Sequence, residues 1–236
     1  MFLKDGSEIH DPRIDRVVRF DERSRGFSIL QDISVVRPKT KTWKNTKVLD
    51  QGKEGACVGF GCCHALLAEP NVTTEVIGNR YAKELIYWEA QKIDQWPGGS
   101  YPGATPQYSG TSVLAGLKVL KNKGFISEYK WSFSLNELIV GVSSHGPAIL
   151  GLPWYDTMYE PGFDHFITIK NGRKVGGHCI LCIGVDIEGK FFTLLNSWGV
   201  FWGKRGKCYI TFSEMEFLLK DRGEAAFITK KEIKNG

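Results

Sequence analysis

Residues 176–203 read GGHCILCIGVDIEGKFFTLLNSWGVFWG, and this stretch decides how the chain is built. Residues 179–185 and Phe191–Leu195 are short, apolar runs rich in β-branched and bulky residues, with Glu188-Gly189 as turn residues between them. Such a pair reads as an antiparallel hairpin. In a hairpin the beginning of the first strand lies beside the end of the second. His178 and Asn196 are thereby brought together. An Asn side chain can accept from one imidazole nitrogen and so hold the other outward as a general base. Gly176-Gly177 leaves room in front of the imidazole, and Trp198 and Trp202 are placed to cover the His–Asn hydrogen bond.

Outward from the hairpin, residues 147–152 and 207–212 have the same strand character. Ser213 with Glu216 fits a capping box for a short late helix through Leu219. The first half is different. Residues 57–69, CVGFGCCHALLAE, are apolar on nearly every side, as in a buried helix, and Pro70 stops them. A second helix is expected over 79–93, with Tyr81, Leu85, Trp88 and Ile93 near helical spacing. Residues 94–110 are loop, and Thr111 or Ser112 caps a third helix that ends at Gly124. Helices first and strands second predict an α+β fold, a helical lobe beside a β lobe. The expected divisions are a basic, extended lead-in at 1–44, including apolar group 33–36 as part strand and packing partly on the β lobe. A helical lobe follows at 45–133 and a β lobe at 134–236.

Composition bounds the function. With 236 residues, 42% of them apolar and 24% charged, the chain can bury a core and is not a disordered segment. It has no apolar run of membrane-spanning length. Residues 1–13 carry acids where a secretory signal needs an apolar stretch, so a cytoplasmic or virion-associated protein is expected. The net charge of +5 gathers near the start, in Arg13, Arg16, Arg19, Arg23, Arg25, Arg37, Lys39, Lys41 and Lys44. No nucleic-acid motif accompanies them, and a solvated basic face is the reading. Cys57, Cys62, Cys63, Cys179, Cys182 and Cys208 sit mostly in apolar segments, so free thiols in a reducing compartment are expected. Neither Cys62-Cys63-His64 nor the His178, Cys179 and Cys182 group has zinc-site spacing, and no metal or cofactor is expected.

The segment DQGKEGACVGF, residues 50–60, places Cys57 where a helix begins. The partial positive charge and free N–H groups there favour a thiolate, the nucleophilic form. Gly52 and Gly55 let a backbone approach closely. Gln51, six residues before Cys57, carries an amide that can donate to an oxyanion, with the Cys57 N–H as second donor.

Together these blocks resemble the papain family of cysteine peptidases. Gln51-Gly52 with Gly55-Ala56-Cys57 matches the nucleophile segment, Gly177-His178 the histidine block, and Asn196-Ser197-Trp198-Gly199 with Trp202-Gly203 the asparagine block. His178 and Asn196 follow Cys57 at intervals near the roughly 130–150 residues of that class, the His slightly early. The resemblance covers about residues 45–212. It implies a two-lobe fold, with a β-barrel-like second lobe and a cleft between the lobes. It also implies a Cys57–His178–Asn196 triad with a Gln51 oxyanion hole and a peptide or protein substrate. By position, Gly110, Thr111, Val113, Gly151, Gly177, Cys179 and Trp198 would contact substrate. The Thr111 backbone would pair with an extended peptide, and Val113, Gly151 and Cys179 would line an apolar specificity pocket. Glu54 and Val58 stand where secreted members carry a cysteine and an aromatic residue, which resembles the disulfide-poor bacterial, archaeal or viral branch. Too few residues precede Gln51 for the usual long inhibitory propeptide. Alternatives are other amide chemistry at the same thiol and a papain-fold assembly component, with the basic N-terminal segment contacting its partner.

Overall fold

A computed structural model describes residues 1–19, 21–31 and 37–230 of the chain. The apolar group 33–36 lies outside the described residues. Helix α1, Cys57–Leu66, buries all ten of its residues, as a segment apolar on every side must. Residues 79–93 are helical, opening with a π-helical stretch Tyr81–Tyr87 that runs into α2, Trp88–Ile93. Of the residues near helical spacing, Tyr81 and Trp88 are partly buried against the core. Leu85 and Ile93 are exposed, whereas Ala82, Ile86, Tyr87, Ala90 and Gln91 are buried. The wider π turn shifts the inward phase, and α1 takes the small Ala82 at close range. Helix α3, Val113–Asn122, starts at Ser112, whose side chain accepts the Ala115 N–H, and stops at Gly124 with φ +77°.

The strands are β1 (Lys41–Thr42), β2 (Ile126–Ser132), β3 (Ala148–Tyr155), β4 (Lys174–Asp186), β5 (Phe191–Leu195), β6 (Lys207–Thr211) and β7 (Glu224–Lys230). Among the described residues they form one antiparallel sheet in the order β2-β7-β3-β4-β5-β6, with β1 added to β4. The sheet is open, not closed into a barrel. Strand β2, on the helical side of the expected boundary at 133, pairs with β7.

Alternation along the strands divides the interior. Ile149, Cys179, Leu181, Leu195 and Ala226 face α1 and α3. Leu150, Trp154, Ile180, Cys182, Phe192 and Phe227 face α4 (Leu135–Ser144) and α5 (Phe212–Lys220). Helix α5 is capped one turn-residue pair earlier than expected. Thr211 accepts the Glu214 N–H and donates to the Glu214 carboxylate, because β6 runs to Thr211 and hands the chain to the helix there. All six cysteines are free and buried. Among the described residues no helix is long and apolar enough to cross a membrane.

The approach of α1 to the π stretch is set by Gly59. A Cβ there would lie 2.2 Å from the Ala82 carbonyl oxygen and 2.7 Å from Tyr87 Cβ. Gly59→Ala is therefore expected to destabilise the fold by about 3 kcal/mol, read as a lowered urea midpoint with unchanged m-value.

Candidate active site

Cys57 is the first residue of α1, so its own N–H and those of the next residues point out of the helix end without intrahelical partners. Strand β4 carries His178, and the chain leaving β5 carries Asn196. The β4–β5 register pairs Leu181 with Leu195 and Cys182 with Leu194. That register sets His178 Nε2 at 2.8 Å from Asn196 Oδ1. The same oxygen accepts the Ser197 N–H at 2.8 Å, which fixes which way the amide faces. Nε2 is thereby set to donate to Asn196, and Nδ1, turned toward the cleft, faces an acceptor of its own, the Arg13 carbonyl, at 3.1 Å.

Aromatic rings enclose this pair. Trp198 lies 5.1 Å from the imidazole, Trp154 lies 4.7 Å away edge-on, and Trp202 packs edge-on against Trp198. Burial holds His178 down to about 4, against its hydrogen bonds to Asn196 and to the Arg13 carbonyl. His64, by contrast, is a core residue. Its Nε2 accepts the Leu49 N–H, and burial holds it down to about 3.

Gln51 is fixed by Ser197, whose hydroxyl donates to Gln51 Oε1 at 2.6 Å. Its amide nitrogen is thereby aimed at the cleft. Ser197 is a positioning residue that the Asn-Ser-Trp-Gly block contains but whose role the sequence does not reveal.

The cleft is filled by the chain's own N-terminal segment. Asp15 bridges to Gly177 and Arg16 to Thr111, both in parallel sense. The Arg16 N–H donates to the Gly177 carbonyl and the Val17 N–H to the Thr111 carbonyl, each at 2.9 Å. The Arg13 carbonyl accepts from Gln51 Nε2 at 3.3 Å and faces His178 Nδ1 at 3.1 Å. The Arg13 guanidinium lies 4.5 Å over the Trp198 ring. Close backbone contact needs glycine underneath: a Cβ on Gly177 would sit 2.5 Å from the Arg16 carbonyl oxygen. Gly55 likewise lies under Asp15, but a Cβ on Gly52 would meet open space, so Gly52 serves a turn at φ +60°. This N-terminal strap therefore lies across Cys57.

Asp15 is the centre of this contact. The Cys57 thiol donates to Asp15 Oδ1 at 3.1 Å and the Cys57 N–H to the same oxygen at 3.3 Å. Asp15 Oδ2 accepts from the Tyr87 hydroxyl and from the Gly110 N–H. Burial pushes the Asp15 carboxyl up, against these donors. Burial and then the Asp15 charge push the Cys57 thiol well above its ordinary range. In this arrangement the thiol keeps its proton. Asp15 and Tyr87 were not expected at the site; they come from segments 42 and 30 residues away with no motif of their own.

Of the expected substrate-contacting residues, Gly110, Thr111, Gly177 and Trp198 all touch the strap. Val113 and Gly151 border the Arg16 side chain. Cys179, paired with Gly151, has its Sγ against Gly61 of α1. The pocket beside Val113 and Gly151 is not apolar throughout. Glu224 stands in it, bonded to Arg16. Arg16, read as part of a solvated basic face, has a side chain only 1% exposed.

No sequence model of a protein family matches the chain, and no curated protein sequence does. Solved structures match it. Xylellain, a cysteine protease from Xylella fastidiosa, aligns at 17% identity and TM-score 0.67 over 96% of this chain and 99% of that one. Procathepsin L2 proteinase from Tenebrio molitor larval midgut aligns at 18% identity and TM-score 0.63, over 92% and 79%. Bromelain protease from Ananas comosus, bound to the E64 inhibitor, aligns at 15% identity and TM-score 0.56, over 83% and 100%. The chain has the papain-like fold.

Asp15→Ala removes both the anion beside the thiol and the contact that closes the cleft over it. A lost charge-assisted hydrogen bond corresponds to a rate gain of about tenfold or more. Iodoacetamide labelling of Cys57 at pH 7, mapped by mass spectrometry, is expected to accelerate by that factor. An unchanged rate would show that Asp15 does not shield the thiol.

Proposed function

We propose that this chain is a papain-like cysteine peptidase that cleaves amide bonds of peptides or proteins through a thioester on Cys57. One observation carries the reading: an extended peptide segment already lies across Cys57, and its oxygens occupy the site's donors. The Arg13 carbonyl takes Gln51 Nε2, and Asp15 Oδ1 takes the Cys57 N–H. These are the two donors that an oxyanion formed by attack at Cys57 would require.

The chemistry follows from the groups present. With the strap in place, the thiol donates to Asp15 and the Arg13 carbonyl occupies His178 Nδ1, so the base does not reach the thiol and no nucleophile forms. Once the strap leaves, water reaches the cleft and the Asp15 charge is gone. The α1 N-terminus then favours the thiolate, and His178 Nδ1 takes its proton. Asn196 Oδ1 holds the resulting imidazolium through Nε2–H. The thiolate attacks the substrate carbonyl, and Gln51 Nε2 with the Cys57 N–H receive the negative oxygen. His178 then gives its proton to the departing amine. It next removes a proton from water, which attacks the thioester and releases the carboxylic acid and the Cys57 thiol. Trp154 and Trp198 keep water from the His–Asn bond, which strengthens it.

The test uses the full-length Asp15→Ala protein with an epoxysuccinyl peptide and a peptide library. A single adduct on Cys57 and hydrolysis lost in Cys57→Ala are expected. An equal adduct on folded Cys57→Ala overturns the reading. In the same background Gln51→Ala is expected to lower kcat by about 10²–10³-fold with little change in KM, as for loss of one oxyanion donor. Ser197→Ala, which only unlocks the Gln51 amide, should show a smaller fall in kcat.

A further inference from the structure

Arg16 reaches away from the cleft floor into a pocket that has charge at its end. Its Nε and one terminal nitrogen both donate to Glu224 Oε1, at 3.1 and 2.7 Å, and that terminal nitrogen also donates to the Arg222 carbonyl at 3.0 Å. The Arg16 side chain is 1% exposed and that of Glu224 10%. The pocket exists because β7 begins at Glu224 directly opposite Gly151 on β3. A Cβ on Gly151 would lie 2.6 Å from Arg16 Nε, 2.7 Å from Glu224 Oε1 and 2.9 Å from Val113 Cγ2. Any larger residue at 151 would close the space. Its entrance is the backbone of Thr111, with which Arg16 pairs. The neighbouring residue, Asp15, is the one on Cys57. The pocket is therefore one residue along an extended chain from the nucleophile.

We propose that this pocket is a specificity site for a guanidinium side chain, and that Glu224 selects peptide substrates with arginine one residue from the site of attack. The inference rests on the peptidase reading above. A carboxylate this buried without a cation is costly. When Arg16 withdraws, the favourable replacement is another cation with donors in the same places. A guanidinium meets both acceptors, the Glu224 carboxylate and the Arg222 carbonyl, with one planar group. A leucine side chain fills the walls at Val113 and Gly151 but leaves both acceptors unmet. Lysine supplies charge without the fork. The Arg16 side chain shows the pose that a substrate arginine would take.

The experiment uses the full chain carrying Asp15→Ala throughout, so that no carboxyl sits on Cys57, and adds Arg16→Ala, which empties the pocket and leaves the triad untouched. Two fluorogenic peptide series, differing only in Arg or Leu at each position on either side of the scissile bond, give the ratio of kcat/KM. A ratio of about 30-fold or more in favour of Arg at one position is expected, in line with loss of a partner from a buried charge pair. In Arg16→Ala/Glu224→Gln that ratio should fall to about threefold or less, while epoxysuccinyl labelling of Cys57 persists. Because Arg16→Ala itself loosens the strap, the ratio decides and the absolute rate does not. A preference for Leu with Glu224 intact, or a ratio unmoved by Glu224→Gln, overturns the proposal. Calorimetric binding of the same uncleaved peptides to Arg16→Ala/Cys57→Ala provides the second reading. Tighter binding of the Arg peptide, lost with Glu224→Gln, supports the pocket even if no hydrolysis is seen, and that outcome would overturn only the peptidase reading. Equal binding of Arg and Leu peptides overturns the pocket.

Discussion

Strand β4 is paired on both edges, and the rest of the site depends on those two registers. On one side β5 sets Asn196 against His178. On the other side β3 sets Gly151 against Cys179, and β7 then sets Glu224 against Gly151. A one-residue slip on either edge would turn every side chain to the other face of the sheet. Two buried cores oppose such a slip, because the inward sets on both faces are apolar. Registry of the sheet therefore positions both His178 and the carboxylate of the pocket.

Helix α1 supplies the other half. It is buried on every side, so its N-terminus is held at a fixed place against β4. Its unpaired N–H groups face whatever occupies the cleft. In the folded chain that occupant is Asp15, a carboxylate without a cation, stabilised by the Cys57 thiol and N–H, the Tyr87 hydroxyl and the Gly110 N–H. One residue further on, Arg16 is a cation seated on Glu224. The strap is thus fixed by two buried charges of opposite sign on adjacent residues, each needing its own partner. Buried pairs of this kind add little net stability because of desolvation. They do specify which residue lies over the thiol and which in the pocket.

The seating of the strap also explains why charge counting fails in the first 44 residues. Arg13 lies over Trp198 and Arg16 is enclosed, so part of the basic excess is spent inside the molecule. In the 79–93 helix, Leu85 and Ile93 turn outward for a related reason. Its inward residues are chosen by the π turn and by contact with Gly59, neither of which appears as a simple apolar period.

Local sequence determined the helix at Cys57, the hairpin between His178 and Asn196, the cap at Ser112 and the Gln51 amide six residues before Cys57. Each depends on spacing within a few tens of residues, where backbone periodicity and turn chemistry set the outcome. Strand β7 and helix α4 are not among the elements expected from the sequence, although Ser134 with Glu137 ahead of an apolar run is a capping-box pair and Ser134 does accept the Glu137 N–H. Tertiary structure alone decided that Asp15 meets Cys57, that Tyr87 supports it, and that Glu224 converts an apolar pocket into one with a carboxylate at its end. Those partners lie far apart in the chain, on the lead-in, the π stretch and the last strand. A single charged residue in such a segment looks the same whether solvent or a buried counter-charge will receive it. Only the folded sheet and the glycine-lined cleft settle which.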